Sequence, residues 1–312
     1  MQKQELIINL WSWNNMKEAL LISALLMTLS ASAQTIDDLL ASTYAAQIHQ
    51  DSIDQSTLVV TYDYRCNTLD SDGKAVTDTK KMCLQIGSHT TRFYPYCKYL
   101  EDTEGVDYLS LENVGNTYKE SFTFIPEVWM NYPDGMTTVR DNILPNIFET
   151  RDDKVQIKWT LTDDTTTIGG HVCKTANALV HGKKWIVHYA EDIPSTAGPW
   201  KLNGLPGLIL LAEDIEGIHS FGAEDINYVA TPIFYEHNAI TIRTSEKELI
   251  KQRNKIFGNR RYAKNPLYYI DRNTMYKDVD EVFCEMDGKY FSLINGIIEK
   301  DEAHKYQPLE LK

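Results

Sequence analysis

Three side chains able to hold a soft metal ion fall on one predicted hairpin. GGHVCKTANALV (169–180) and KKWIVHYA (183–190) meet across His181-Gly182, a two-residue turn that sets Val180 opposite Lys183. In that register Thr175 faces His188, so Cys173 lies diagonal to His188 and two residues from His171. Diagonal neighbours on a sheet stand roughly 7–8 Å apart, within reach of one ion bridging imidazole and thiolate. Cu(I) or Zn(II) suits such ligands. The competing reading makes Cys173 a buried small hydrophobe or a disulfide partner and the histidines polar surface residues. Which cofactor, if any, the chain takes is left open by its sequence.

Other chemistries leave weaker traces. There is no G-x-S-x-G, and Ser195, His188 and Asp192 are near in sequence without being placed as nucleophile, base and orienter. No P-loop, GxGxxG, HExxH or EF-hand loop occurs. The acidic pairs Asp152-Asp153, Asp163-Asp164 and Glu213-Asp214 sit at turns or strand ends, where solvation explains them.

The elements that must position the hairpin read as β. STLVVTYDYRC (56–66), TKKMCLQIG (79–87) and HTTRFYPYC (89–97) alternate and are separated by turn residues, a meander signature. Residues 35–56 read as a short helical lead-in, and 99–115 as polar with a short helix. Further strands are expected at Phe122–Ile125, Val128–Tyr132, Thr137–Ile143, Val155–Leu161 and 218–233. In the hairpin, Val172, Ala176, Ala178 and Val180 share a face with Trp185, Val187 and Tyr189, and this is the expected core face. His171, Cys173, Thr175, Lys184 and His188 line the other. Ser245-x-x-Glu248 has the capping-box pattern and opens a helix, SEKELIKQRNKIFG (245–258), closed by Gly258. Residues 241–265 carry eight basic and two acidic residues, either a solvated helix folded on an acidic body or a surface for an anionic partner. From Pro266 onward the chain is Tyr-rich and reads as irregular.

At the N-terminus, Met16-Lys17, the apolar run Ala19–Leu29 and Ala31-Ser32-Ala33 have the layout of a secretory signal peptide, with residues 1–15 as an upstream extension. That run is too short to span a bilayer, and no later one reaches transmembrane length. A net charge of −13 argues against nucleic acid as a partner, because neutralising phosphates takes clustered Lys and Arg on a basic protein. In an oxidising compartment the five cysteines allow one or two disulfides, and a bridge among Cys66, Cys83 and Cys97 is expected.

GPWKLNGLPGLILLAED (198–214) sets two turn signals, Asn203-Gly204 and Pro206-Gly207, before an apolar strand. Leu205-Pro206-Gly207-Leu208 suits a type II turn with φ > 0 at Gly207. Leu208–Leu211 lacks alternation, as a strand buried on both faces would. The stretch reads as a sharp corner that Trp200 covers.

In order along the chain, Gly169-Gly170-His171-Val172-Cys173-Lys174-Thr175-Ala176, Ile193-Pro194, Gly198-Pro199-Trp200-Lys201 and Gly204-Leu205-Pro206-Gly207-Leu208-Ile209 resemble the GLPGLI family (Porph_ging domain), exported proteins of the Bacteroidetes. The match is strong over residues 157–215. His188 departs from it, the family more often having Trp before the Tyr. The resemblance implies an exported envelope protein, periplasmic or at the cell surface, and carries no catalytic residues over. It suggests an accessory role, since members are often encoded near outer-membrane receptors. The layout also looks like that of curved half-barrel proteins with apolar lipid cargo, an analogy of fold alone.

The expectation is a mainly β protein: a curved antiparallel sheet or incomplete barrel over 34–240, with a basic helix and Tyr-rich segment (241–312) packing on it. Function is expected to be non-catalytic, with an apolar or peptidic ligand or an envelope protein as partner. The alternative is a metal-binding or hydrolytic protein using the Cys173/His188 face.

Overall fold

The computed structural model describes residues 48–70, 73–105, 126–143, 146–238, 241–257, 281–286, 289–294, 297–300 and 305–311. The expected leader and the expected strand at Phe122–Ile125 lie outside these. Among the described residues no helix is long and apolar enough to cross a membrane. Gln47–Lys312 forms one compact unit.

The fold is mainly β, as its alternation predicts. The strands are β1 (Ile48–Leu69), β2 (Ala75–Gly87), β3 (Thr91–Pro95), β4 (Glu127–Met130), β5 (Met136–Ile143), β6 (Asn146–Asp153), β7 (Thr160–Ile168), β8 (His171–Val180), β9 (Lys183–Ala190), β10 (Leu208–Asp214), β11 (His219–Asn227), β12 (Pro232–Asn238) and β13 (Thr241–Arg243). Helix α1 (Tyr96–Glu104) follows β3, and α2 (Glu246–Phe257) follows β13. Thirteen strands make one open sheet in the order β13-β6-β5-β4-β3-β2-β1-β11-β10-β9-β8-β7, with β12 paired to the first third of β1. Among the described strands only β13–β6 is parallel. Three more strands, β14 (Glu281–Met286), β15 (Lys289–Ile294) and β16 (Ile297–Lys300), form a separate meander, replacing the irregular segment expected there.

Strand period sorts each side chain to one of two faces. Tyr62 and Tyr64 on β1, Leu84 on β2, Phe93 on β3, Val128 on β4, Trp185 on β9 and Phe221 on β11 all enter one apolar cluster. Residues from both ends of an open sheet meet there, so the sheet wraps around its own core. The opposite face carries a second layer made largely of charge and aromatics. Buried Arg92 lies over Tyr94, Trp129 lies within 5.0 Å of the Arg140 guanidinium, and Glu149 accepts from Arg140 and from the Tyr235 hydroxyl. Buried charge is tolerated there because each guanidinium has a carboxylate or a ring against it.

Several expectations are corrected. No helix leads in at 48–56, where β1 already pairs with β12. Residues 154–159 form no strand. The strand before them is β6, whose polar sequence NIFETRDD hides its register because Glu149 and Arg151 are held in ion pairs. None of Cys66, Cys83, Cys97 and Cys173 is in a disulfide. Cys66 faces the core while Cys83, with Val59 and Tyr94, belongs to the opposite face, so neighbouring strands do not bring those thiols together. Val172, expected in the core, is 67% exposed beside the edge strand β7, and Cys173 and Thr175 are buried instead. Burial changes face midway along β8.

The double-turn corner exists but uses its glycines differently. Gly204 takes φ 94°. Gly207 does not take positive φ, contrary to the type II expectation. It is required by proximity, since a Cβ there would sit 2.3 Å from the Ala190 carbonyl oxygen. Gly207→Ala is therefore expected to cost about 3 kcal/mol through overpacking against backbone that cannot retreat. Gly222→Ala, whose Cβ would meet only Leu211 at 3.9 Å, should cost little. Urea unfolding of both variants checks the contrast.

Candidate functional site

The hairpin register is as expected: Val180 pairs with Lys183, Thr175 with His188, and Cys173 with Ala190. The three residues expected to hold a metal nonetheless have other partners. His171 Nδ1 lies 2.7 Å from Asp192, and His188 Nδ1 lies 3.0 Å from the Thr175 hydroxyl. The Cys173 thiol points at the His171 carbonyl at 3.6 Å, and burial pushes its pKa up, which disfavours the thiolate a metal needs. Among the described residues, His171, Cys173 and His188 do not converge on a common point. Ser195 Oγ accepts from the Ala197 amide, and Asp192 orients His171 rather than His188, so no triad forms.

The GLPGLI corner builds a different constellation. Gly198 allows the chain to pass against Leu202 and Ile209, where a Cβ would approach the Leu202 carbonyl at 2.7 Å. Pro199 follows, and Trp200 then adopts φ 55°, rare for a bulky residue, with its ring buried against Trp185 and His181. Leu202, Leu205, Leu208 and Ile209 are buried, while Pro206 stands exposed at the turn. The consequence of this route is the placement of Lys201, 7% exposed, at one end of the sheet.

At that end Lys201 meets residues distant in sequence. Its ammonium is paired with Glu246 of α2 at 2.7 Å and with Glu310. Arg253 of α2 bonds Glu310 at 2.6 Å and also Asp141 of β5. Burial alone would raise the Glu310 carboxyl, but Lys201 and Arg253 bring it down to about 2. Burial pushes Asp141 up to about 6 against the pull of Arg253. His181, Glu246 and Glu310 bring ligand atoms within 4.8 Å of one another, but the Lys201 ammonium bonds both carboxylates and holds the cation's place.

Glu310 arrives on an extended segment, residues 305–311, that crosses this mouth. The Lys305 amide donates to the Leu69 carbonyl at 2.7 Å, and the Thr68 hydroxyl donates to the Lys305 carbonyl. His219 Nε2 bonds the Pro308 carbonyl at 3.2 Å, and the Leu311 amide donates to the His181 carbonyl at 2.9 Å. Leu309 is buried in the main core. A carbonyl only accepts, so His219 carries its proton on Nε2. Its neutral ring therefore accepts from the Tyr64 hydroxyl at Nδ1, 2.8 Å away. The alternation of Leu309-Glu310-Leu311 was the one sequence signal for this segment. Its partners Asp141 and His219 had none.

Burial lowers the His219 pKa from 6.5 to about 4, Asp214 pulling weakly the other way. Between those values the unfolded chain holds the proton that the folded chain refuses. The His219 contribution is thus complete above pH 6.5 and is lost as pH falls through 4. Asp141, with its folded pKa raised, titrates in the opposite sense between 3.8 and about 6. The clean quantity is the stability difference between the wild type and His219→Gln. It should shift by on the order of 3 kcal/mol in favour of the variant as pH drops from 7 to 4, measured by urea unfolding across that range.

No family model and no curated protein matches the chain. Among solved structures it is similar to PNGF-II in the P21 space group, at 14% identity over 64% of this chain and 33% of that one, with a TM-score of 0.43. PNGF-II in the C2 space group is similar at 13% identity over 75% of this chain and 35% of that one, with a TM-score of 0.41. The chain spans about a third of the length of those proteins, and likeness at this level says nothing of its activity.

Proposed function

We propose that the chain is an exported binding protein of the GLPGLI type, non-catalytic, acting in the periplasm or at the cell surface. Its ligand is an extended peptide with an acidic residue between two leucines, held in the mouth that residues 305–311 fill. The observation that carries this reading is how that segment is held: four backbone groups bonded by strand ends and side chains, one buried leucine, and a carboxylate between Lys201 and Arg253. Backbone bonding gives affinity to any extended chain, and the side-chain pocket and paired cations select the sequence. The concave face speaks for peptide over lipid cargo, because Trp185, Trp200, Phe93, Phe221, Tyr62 and Tyr64 fill it.

The test is to insert a protease site between Lys300 and Lys305 of the whole protein, cleave it, and add fluorescent KYQPLELK. Fluorescence anisotropy should report exchange of the labelled peptide into the folded protein. Peptides with Leu309→Ala or Glu310→Gln should bind at least tenfold more weakly. Failure to exchange even in sub-denaturing urea, or equal competition by a scrambled peptide, overturns the proposal.

A further inference from the structure

We propose that a cavity beside Gln307 is a side-chain pocket of the mouth, and that it takes an apolar residue of the bound peptide, the one directly before its proline. The inference rests on the reading of residues 305–311 as occupants of a peptide site, and it adds one element to that site's specificity. The cavity has a volume of about 350 Å³, is open to solvent on one side, and lies between Gln307 and the far end of the β1–β2 hairpin. Ligand pockets start at roughly 300 Å³, so one large side chain fits.

The register decides which hairpin residues face the segment. Thr68 pairs with Val76 across β1 and β2, and Leu69 pairs with Ala75. Paired residues project to the same face, and the Thr68 hydroxyl donates to the Lys305 carbonyl. Val76 therefore stands on the face that the segment crosses, beside Gln307. The neighbouring side chains of the segment already have places. Leu309 and Glu310 are buried, and Tyr306 lies near Arg253 and Asp141. Gln307 is half-buried, and among the described residues its amide has no hydrogen-bond partner.

The polar groups of the lining are engaged elsewhere. The Asn67 side chain donates to the Gly217 carbonyl and accepts from the Thr77 hydroxyl, both at 2.7 Å, and the Thr68 hydroxyl holds Lys305. What remains toward the cavity is the hydrocarbon of Leu69, Ala75 and Val76. Leu69 is 37% exposed, so part of that surface is there to be covered. A polar occupant would give up water without gaining a partner, whereas an apolar one takes hydrocarbon out of water on both sides. The pocket thus favours leucine or phenylalanine before the proline, and the chain's own glutamine leaves it underfilled. A segment that underfills one pocket is one that a better-fitting peptide can displace.

The test uses the cleaved protein with labelled KYQPLELK, and the uncut chain beside it. A peptide carrying Gln307→Phe should bind at least fivefold more tightly than KYQPLELK, and Gln307→Leu should also gain. In a Val76→Glu host KYQPLELK should bind as before, the gain from Gln307→Phe should vanish, and Gln307→Lys should become the preferred peptide. In the uncut chain Gln307→Phe should raise the urea midpoint, but not in the Val76→Glu background. Exchange of KYQPLELK reads the mouth, whereas the double-mutant cycle in the uncut chain reads the pocket, so the two can fail separately. No gain from Gln307→Phe in the uncut chain, or an equal gain in the Val76→Glu background, overturns the pocket.

Discussion

Four buried charges at one end of the sheet hold together parts of the chain that share no strand pairing. Lys201 comes from the GLPGLI corner, Arg253 from α2, Asp141 from β5 and Glu310 from the segment 305–311. Removing such ions from water is costly, and the cost is recovered only when every partner is in place. The pairing therefore acts as a conjunction: corner, helix, strand and segment must all be docked, or an unpaired charge is left in the core. That requirement explains why the corner tolerates a left-handed tryptophan. The strained turn sets Lys201 between Glu246 and Glu310.

The two faces of the sheet solve different problems. The concave face is filled by aromatic rings that interlock, with Tyr62 and Tyr64 spending their hydroxyls on the Ile209 carbonyl and His219. The opposite face is a ladder in which guanidinium, aromatic ring and carboxylate alternate across β3 to β6, capped by α1 and β12. Such a layer is less apolar than a second core but more exacting, because each guanidinium depends on a particular carboxylate or ring.

Much of this was written in local pattern. The hairpin at His181-Gly182 follows from turn chemistry and period-two alternation, and its register was legible to the residue. So were the helix after Ser245 and the burial of Leu208–Leu210. What escaped was set by distant partners. The strand β6 is polar because its carboxylate and guanidinium have buried mates. The first third of β1 reads as a helix until β12 lies beside it. Gly207 looks like a turn residue, whereas its lack of a side chain serves an approach to β9 that no local signal encodes. The site residues divide in the same way: His171, Cys173 and His188 lie where the register puts them, yet Asp192 and Thr175 take the histidines as partners.

An open sheet has two free margins, and both are blunted here. On one side β13 contributes only three residues beyond β6. On the other, β7 is threonine-rich, carries Asp163-Asp164, and breaks its register with β8 between Leu161 and Thr165. A margin that is short, or kinked and charged, offers a poor template for another molecule's strand. A barrel escapes edge-to-edge polymerisation by closing; this chain leaves its sheet unclosed and denies neighbouring copies a straight row of free amides and carbonyls to add to.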